Sequence, residues 1–488
     1  MEKLLITELA GILNARIIGS PDGQQTCSAV NIDSRTVKPG DCFFAIPGDN
    51  YDGHNFLADA FAKGASCAVV SKADSINNQQ SAISNKVILK VDDTIKALGL
   101  IAAWFRKNCN FKVVAITGSV GKTTTRQILY HVLSRRFKTH QPVKNFNNHI
   151  GLPLTLLAAP ADCQIAVVEL GSNHPGEIEY LTKIASPDIA LVTTVAPAHL
   201  EGFGDLETLT NEKLSISKGL DSKGALILNG DCPGLVNLAK KQNKKFLTFG
   251  SSPDCDYRLE NFRSDGLSSK FEISNTEIYL PLPGLGNAYN ALAAWAVADQ
   301  FKITPADFAD ALKTIPPVSM RTEILNVGSS AIGSAAGETS PKGGLTVIND
   351  CYNANPASMK NALDILTTLA KNSNRRGACH GEAQRRRVFV CGDMAELGSQ
   401  TEKLHIELGK QIAESSVSLL LTVGHLALLA ADTAKNESST LKTHSFVRVE
   451  QLCDNLPKLI SDSDIILVKG SRVNKLELAV EKLKTIFS

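Results

Sequence analysis

The middle of the chain repeats one pattern, in which a short run of consecutive apolar residues is followed by a longer segment with apolar residues at helical spacing. The short runs lie at residues 113–116, 165–170, 189–195 and 225–228. Runs of this length and aliphatic composition predict strands that are buried on both faces, with helices between them. Such alternation is typical of a mainly parallel α/β sheet, which binds ligands at the carboxyl ends of its strands.

A smaller set of alternating segments precedes this region. Its predicted helices and strands cover residues 4–13, 30–35, 41–47, 56–63, 68–70 and 87–89. A polar run at residues 75–85 is predicted to be a surface loop, and a helix at residues 93–107 leads into the middle region. The pattern therefore predicts a small α/β domain over residues 1–91.

A second doubly wound sheet is predicted after the Pro316-Pro317 pair. Between this pair and the middle strands, residues 257–282 alternate loosely, which predicts antiparallel strands, and a helix follows through residue 298. Beyond the pair, apolar runs that end in polar or glycine residues predict strands at residues 345–348, 388–391, 419–423 and 465–468. The chain is therefore predicted to form three domains, over residues 1–91, 92–316 and 317–488.

Two stretches interrupt the C-terminal pattern and are interpreted as inserted loops. They cover residues 328–344, which are mostly small, and residues 371–387. The second contains the basic run Arg385-Arg386-Arg387. A short run of like charges is more typical of a solvated loop than of a site for a polyanion.

The first middle strand leads into the sequence TGSVGKTTT, which has the layout of a phosphate site. The turn and the start of the next helix consist of Gly118, Ser119, Val120, Gly121, Lys122, Thr123 and Thr124. Glycines allow backbone N–H groups to converge on an anion at a helix N-terminus. Lys122 would neutralise the outer phosphates of a nucleotide, and the Thr123 hydroxyl would bind Mg²⁺. Ile116 stands where the general P-loop has its first glycine, so this loop is a shortened form.

Two further polar residues directly follow buried strands of the same domain. Glu169 ends the run at residues 165–170, and His199 follows the run at residues 189–195. Each could be a solvated strand end. Because both lie where ligands bind in a sheet of this kind, we interpret them as candidate Mg²⁺ ligands.

Other polar clusters leave two interpretations open. Residues 144–151, which include Asn147 and Asn148, could bind a polar ligand or form a solvated loop. Residues 33–35 and 52–54 place polar groups at strand ends, as a small-ligand site would, although plain turns explain them better.

Composition narrows the class of protein. The 488 residues are 43% hydrophobic and 20% charged, with a net charge of +2, so no electrostatic footprint for nucleic acid or an acidic membrane is present. The eleven cysteines include no C-x-x-C pair and predict neither a zinc site nor a disulfide framework. Glu8 interrupts the apolar start of the chain, and the apolar stretch at residues 417–431 is too short to span a membrane. We expect a cytoplasmic protein.

Eight motifs in order along nearly the whole chain resemble those of the Mur ligases. They are IDSRTVKPGDCFFAIPGDNYDGHNF (32–56), TGSVGKTTT (117–125), NFNNHIGLPLTLL (145–157), VVELGSNHPGEI (167–178), AHLEGFG (198–204), NDCYNANPASM (349–359), GDMAELG (392–398) and VKGSR (468–472). The first motif, with YNANP and GDMAELG, is closest to the family members that add D-alanyl-D-alanine to UDP-N-acetylmuramoyl-tripeptide. Each motif alone is weak to moderate evidence, whereas eight in order are specific.

The resemblance implies an N-terminal UDP-sugar-binding domain, a central P-loop-type ATPase and a C-terminal Rossmann-like domain that closes over ATP. It implies an ATP- and Mg²⁺-dependent ligase that joins the dipeptide to the tripeptide, the last cytoplasmic step of peptidoglycan precursor synthesis. Both partners would be small molecules, with no nucleic acid and no membrane insertion, and the enzyme would act as a monomer.

The resemblance also implies roles for individual residues. Lys122 and Thr123 would hold phosphates and Mg²⁺, with Glu169, His199 and Lys213 as further metal ligands, Lys213 after carbamylation by CO₂. The remaining implied sites are Asn287 and Asn290 for adenine, Arg321 and Asp350 for the nucleotide, Ser34 and Arg35 for UDP, Asn147 and Asn148 for the muramoyl-peptide, and Tyr352, Asn353 and Asn355 for the dipeptide.

Three positions depart from the family pattern. Asn349 stands where the first of two aspartates is usual, and Gly286 replaces a histidine before Asn287. Ser215 replaces a glutamate two residues after Lys213, which removes a possible supporting carboxylate. Glu212 lies about 100° away around a helix and cannot replace it.

Independently of the family, the predicted groups suit the activation of a carboxylate. A carboxylate is a poor electrophile, and its phosphorylation by ATP needs a phosphate cradle, Mg²⁺ and positioning. A sister ligase or folylpolyglutamate synthetase, a kinase, and a non-catalytic nucleotide switch are the alternatives. The motif at residues 32–56 argues against the folate enzyme.

Overall fold

The structure is a computed structural model, and it describes residues 3–48, 50–72, 85–143, 145–328, 344–378 and 385–487, with side chains omitted from 373 to 378. Most of the predicted polar loop at residues 75–85 and of the predicted insertion at residues 328–344 lies outside the described residues. Within the described part, no helix is long and apolar enough to cross a membrane.

The N-terminal region forms a five-stranded sheet in the order β2-β7-β6-β5-β4, with β1 and β3 paired beside it. Strand β2 runs antiparallel to β7, and the other neighbours in the five-stranded sheet are parallel. The elements are β1 (Leu4–Leu5), α1 (Ile6–Leu13), β2 (Arg16–Ile18), β3 (Thr26–Cys27), β4 (Ala29–Asn31), β5 (Asp41–Phe44), α2 (Leu57–Ala62), β6 (Cys67–Val70) and β7 (Ile88–Lys90).

The central region is built on a seven-stranded parallel sheet in the order β14-β13-β12-β11-β8-β10-β9. Its elements are α3 (Thr94–Asn108), β8 (Lys112–Thr117), α4 (Lys122–Leu133), β9 (Thr139–His140), α5 (Gly151–Leu157), β10 (Ile165–Glu169), α6 (Glu177–Ala185), β11 (Ile189–Val192), α7 (Leu200–Phe203), α8 (Leu206–Leu214), β12 (Ala225–Asn229), α9 (Pro233–Lys241), β13 (Leu247–Gly250) and β14 (Tyr257–Arg258). Strand β8 lies between β10 and β11, so the loops that leave these three strands meet at one edge.

A three-stranded antiparallel sheet and two helices complete the central region. They are β15 (Glu260–Ser264), β16 (Ser269–Ile273), β17 (Thr276–Leu280), α10 (Leu285–Gln300) and α11 (Pro305–Leu312). Helix α10 is buried along most of its length because nine of its residues, chiefly alanine, pack into the core on several faces. This packing fixes the N-terminus of α10 beside the phosphate loop.

The C-terminal region forms a six-stranded sheet in the order β18-β19-β23-β20-β21-β22, in which β18 runs antiparallel to β19 and the other neighbours are parallel. Its elements are β18 (Glu323–Val327), β19 (Leu345–Asn349), α12 (Pro356–Ala378), β20 (Arg387–Gly392), α13 (Thr401–Glu414), β21 (Leu419–Val423), α14 (His425–Glu437), β22 (Lys442–Phe446), α15 (Val449–Leu459), β23 (Ile465–Lys469) and α16 (Glu477–Phe487). Short 3₁₀ turns connect several of these helices and strands.

The α/β class and the mainly parallel sheets confirm the predicted fold, with local corrections. Helix α12 extends to Ala378, so the predicted loop at residues 371–387 is wrong over its first eight residues. Tyr257–Arg258 joins the parallel sheet instead of the antiparallel one. Arg386 forms an ion pair with Asp464 at 2.6 Å, so the basic run is anchored and not simply solvated. The domain boundaries near residues 91 and 316 stay predictions, since one hydrophobic core joins the N-terminal and central sheets.

Candidate active site

The phosphate loop has the backbone geometry that its glycines predict. Gly118 and Gly121 have φ angles of 145° and 89°, in the region that favours glycine. A Cβ atom on Gly118 would lie 2.1 Å from Thr193 Oγ1, and one on Gly121 would lie 2.2 Å from Asn290 Oδ1. The loop therefore needs glycine at both positions, and it delivers the chain to the first turn of α4, where backbone N–H groups are free to bind an anion.

Lys122 folds back over this loop. Its ammonium group donates to the Gly118 carbonyl at 2.6 Å. Burial lowers the pKa of Lys122 to about 8, and the nearby Glu169 carboxylate opposes that shift. A phosphate group at the loop would stabilise the ammonium form, so the site is suited to an anionic ligand.

Glu169 and Thr123 form a buried oxygen pair beside the loop. Thr123 donates its hydroxyl to Glu169 Oε2 at 3.1 Å, while Arg126 Nε contacts Glu169 Oε1 at 2.6 Å. Arg126 and Glu169 are 2% and 1% exposed, so this ion pair holds the carboxylate in one orientation. Arg126 was not among the predicted site residues, although it lies one turn after Lys122 on the same helix.

The donor set fits Mg²⁺. Across the described ranges, no three His, Cys, Asp or Glu side chains form a group that could hold a metal. Mg²⁺, however, is usually bound by one or two carboxylates together with substrate phosphates and water. Thr123 and Glu169 supply a hydroxyl and a carboxylate oxygen next to the phosphate loop. These are the ligands that the protein would contribute to such a Mg²⁺ site.

His199 lies at the start of α7 with φ 56° and pairs with a residue of the C-terminal region. Its Nδ1 contacts Glu396 of the GDMAELG motif, and Glu201 N donates to the Glu396 carbonyl at 3.2 Å. Pairing of one ring nitrogen with a carboxylate orients an imidazole and leaves the other nitrogen for a ligand. This contact is compatible with a metal role for His199, which stays a prediction.

Lys213 is buried on α8, with an exposed fraction of 1%. Its amine donates to Ser172 Oγ at 2.8 Å and lies 5.6 Å from the centre of the Phe203 ring. Burial, followed by the nearby Lys122 charge, lowers the pKa of Lys213 to about 7. Glu212 instead accepts from Gly176 N at 2.7 Å and Ile178 N at 2.8 Å, so it stabilises the start of α6.

The two asparagines of α10 form a chain of hydrogen bonds behind the loop. Asn287 Nδ2 donates to Pro283 O at 2.8 Å and to Thr322 Oγ1 at 3.1 Å. Asn290 Nδ2 donates to Asn287 Oδ1 at 3.4 Å, and Asn290 Oδ1 accepts from Thr125. Their amides are thus largely occupied by protein partners.

The C-terminal region contributes Asp350, Lys469, Arg321 and Tyr352 to the opposite wall. Asp350 Oδ2 contacts the Lys469 ammonium at 2.6 Å, and Asp350 Oδ1 accepts from Thr322 N at 3.0 Å. The Arg321 guanidinium lies 4.3 Å from the centre of the Tyr352 ring, a cation–π contact. The Tyr352 hydroxyl meets Asn145 Nδ2, which joins this wall to the central region.

We expect Asp350→Ala to lower the free energy of unfolding by about 3–5 kcal/mol, because it leaves a buried lysine charge without its partner. Lys469 and Asp350 are only 2% and 13% exposed. Urea denaturation measures the loss. The double variant Asp350→Ala/Lys469→Met should recover most of the lost free energy of unfolding, because it removes the unpaired lysine charge.

Glu481→Ala is the matched control for this prediction, since it breaks the exposed Glu481–Lys484 pair and should cost about 1 kcal/mol or less. Equal small losses for Asp350→Ala and Glu481→Ala would contradict the prediction.

A cavity of about 640 Å³ lies between these walls. The predicted site residues that line it are Ser119, Val120, Gly121, Lys122, Thr123, Thr124, Asn147, Asn148, Glu169, His199, Asn287, Asn290, Arg321, Asp350, Tyr352, Asn353 and Asn355. Gly118 and Lys213 do not line it, although both contact residues that do. Ser34 and Arg35 lie elsewhere, in the N-terminal domain.

Several of the predicted site residues also form hydrogen bonds or ion pairs within the protein. Asn148 Oδ1 accepts from Ile150 N and Gly151 N at the start of α5, and Asn355 Oδ1 accepts from Ser358 N at the start of α12. Arg35 pairs with Asp33 at 2.7 Å on an exposed turn. For Asn148 and Asn355, the N-cap pattern of asparagine before a helix was available in the sequence.

Two departures from the family pattern have structural explanations. Asn349 Nδ2 donates to Glu323 Oε2 at 2.9 Å, a position where an aspartate would place two carboxylates together. Ser215 lies at the start of a 3₁₀ turn, and its hydroxyl donates to the Glu212 carbonyl at 2.6 Å. Its side chain therefore stabilises the local backbone. Cavity residues that were not predicted from the sequence include Ser172, Asp231, Tyr289, Asn361 and Lys469.

Known proteins resemble this chain over nearly its whole length. The ligase that joins UDP-N-acetylmuramoyl-tripeptide and D-alanyl-D-alanine in Bacillus subtilis is 32% identical over 99% of both chains, and its Escherichia coli counterpart is 32% identical over 99% of both. A crystal structure of MurF from Acinetobacter baumannii superposes with a TM-score of 0.84 and 28% identity, again over 99% of both chains.

Three family models match successive parts of the chain. The Mur ligase catalytic domain model matches residues 26–106, the middle domain model residues 116–298, and the glutamate ligase domain model residues 338–472. Together with the similarity along the full length, these matches show that the chain belongs to the Mur ligase family.

Proposed function

We propose that the protein is an ATP-dependent ligase that joins D-alanyl-D-alanine to UDP-N-acetylmuramoyl-tripeptide. The observation that carries this proposal is the cavity in which a phosphate loop with Lys122 faces polar residues of the C-terminal domain. The relatives that match along 99% of both chains are named for this reaction.

The reaction begins with ATP and the terminal carboxylate of the tripeptide. The carboxylate attacks the γ-phosphate, ADP leaves, and an acyl phosphate forms. The neutral dipeptide amine then attacks the acyl carbon and loses a proton, and the tetrahedral intermediate collapses with loss of phosphate to leave a peptide bond.

The chain's own residues bind and orient the phosphates. Lys122 offsets the charge that develops on the transferred phosphoryl group and on the tetrahedral oxygen. Thr123 and Glu169 would hold Mg²⁺, with His199 and a carbamylated Lys213 as further ligands. Mg²⁺ at this position would screen the charge between the two anions that must meet. Arg126 keeps Glu169 oriented through their 2.6 Å contact.

The second wall of the cavity positions substrate. Arg321 and Asp350 bind the nucleotide from the C-terminal side, and Tyr352, Asn353 and Asn355 lie nearest the incoming dipeptide. Asn147 and Asn148 contact the muramoyl-peptide, while Ser34 and Arg35 bind UDP in the N-terminal domain. Contacts between the central and C-terminal domains, such as His199 with Glu396, support closure of the domains around bound ligands.

We further propose how the protein is organised. Residues 1–91, 92–316 and 317–488 form the UDP-sugar, ATP and ligase domains of a monomer that works in the cytoplasm on small-molecule substrates, without nucleic acid and without insertion into a membrane.

A phosphate-release assay tests the proposed function. We expect release only when ATP, UDP-N-acetylmuramoyl-tripeptide and D-alanyl-D-alanine are all present, with one peptide bond formed per phosphate. The tripeptide should be supplied in both its meso-diaminopimelate and lysine forms. Transfer of phosphate to a stable product without the dipeptide would indicate a kinase, and hydrolysis that ignores both substrates would indicate a nucleotide switch.

A further inference from the structure

Asn361 extends from the second turn of α12 in the C-terminal domain to the start of α10 in the central domain. Its Oδ1 accepts from Gly286 N at 3.0 Å, and the residue lines the cavity. Backbone N–H groups in the first turn of a helix lack an intrahelical partner, so this contact caps α10 from another domain.

The close approach depends on the small residues at the start of α10. A Cβ atom on Gly286 would lie 3.0 Å from Asn361 Oδ1, and one on Gly284 would lie 2.6 Å from the Ile365 side chain. Glycine at both positions therefore lets α12 pack directly against the end of α10.

The direction of the Gly286 hydrogen bond fixes the orientation of the Asn361 amide. Since a backbone N–H can only donate, Asn361 must present its oxygen to Gly286 and its NH₂ group on the other side. The hydrogen bonds of the described residues give this NH₂ group no acceptor. The neighbouring Asn287 and Asn290 amides, by contrast, donate to protein oxygens.

We propose that Asn361 is a nucleobase-recognition residue, which donates its side-chain NH₂ group to a ring nitrogen of adenine. This inference rests on the proposed function, because the resemblance to the Mur ligases implies that Asn287 and Asn290, at the N-terminal end of α10, face the adenine of ATP. Adenine has unprotonated ring nitrogens at its edge, which accept hydrogen bonds. A base with a protonated nitrogen at the same position would place two donors together and would bind less well. The C-terminal domain thus binds the adenine base and also faces the substrates.

The Asn361→Asp substitution separates recognition from capping. The new carboxylate keeps an oxygen for Gly286 N and is favourable at a helix N-terminus, but it has no proton to donate to the base. A capping role predicts that the Asn361→Asp variant binds ATP as the unmodified chain does. A recognition role predicts that both Asn361→Asp and Asn361→Ala bind ATP more weakly.

Isothermal titration of the full chain with ATP measures the effect. We expect the dissociation constant to rise about 3- to 10-fold in Asn361→Ala, the usual range for one lost hydrogen bond, and at least as much in Asn361→Asp. Asn436→Ala, which replaces an exposed asparagine on α14 of the same domain, is the matched control and should leave the constant unchanged.

Normal ATP affinity in Asn361→Asp would overturn the inference alone, since the proposed nucleotide site would remain intact. Absence of ATP binding by the unmodified chain would overturn the inference and the proposed function together.

Discussion

Lys122→Ala should reduce ligation about 10³-fold, the effect expected when one preorganised charge-stabilising donor is removed from a water-excluded site. The Lys122 ammonium contacts the phosphate loop through the Gly118 carbonyl and does not pack in the hydrophobic core. The loss should therefore appear in turnover and in nucleotide affinity, while the thermal unfolding curve changes little.

Steady-state phosphate release and circular dichroism measure these two quantities. Lys138→Ala, which removes an exposed lysine of the same domain, is the control and should keep full activity. If the Lys122→Ala enzyme turned over at a near-normal rate, the assigned phosphate site would be wrong.

Lys213→Ala should also be nearly inactive, but it should respond to added carboxylic acids. In the proposed site, CO₂ adds to the neutral Lys213 amine and a proton leaves, which gives a carbamate with two oxygens for a hard cation. The pKa of about 7 leaves much of the amine neutral near pH 7 and most of it neutral at pH 8. An unmodified ammonium would instead repel a metal ion.

Activity with and without millimolar acetate or propionate checks this prediction, since a short carboxylate can occupy the space left by the side chain. Lys218→Ala is the matched control, because Lys218 is an exposed lysine close in sequence that pairs with Glu179. Clear density for an unmodified Lys213 amine, in a substrate-bound crystal grown with bicarbonate, would refute the carbamate.

The pKa of Lys213 also sets a dependence of stability on pH for the uncarbamylated chain. The folded-state pKa lies below the usual lysine value of 10.5, so protonation favours the unfolded state. The contribution of Lys213 to stability is therefore greatest above that usual value and declines as the pH falls toward about 7.

Features that depend on neighbouring residues were predictable from the sequence. The strand, turn and helix of the phosphate loop were predictable because they depend on a few neighbouring residues. The tight turn requires positive φ angles at Gly118 and Gly121, which glycine readily adopts. Glu169 was also recognisable, since the end of a buried parallel strand fixes which edge of the sheet its side chain occupies.

Asn148 and Asn355 show where local patterns are ambiguous. The same amide oxygen can bind a ligand or cap a helix, and both residues cap helices while lining the cavity. Only the surrounding backbone reveals which hydrogen bonds are already formed.

Apolar periodicity and short-range backbone requirements were enough to establish the α/β class, the phosphate loop and the order of the motifs. The packing of the folded chain was needed to learn that Glu396 meets His199, that Lys469 meets Asp350 and that Asn361 meets Gly286. These partners lie far apart along the chain, and their contacts depend on how sheets and helices pack. Hydrophobic packing is non-directional, so the order of residues alone does not specify which polar groups it brings together.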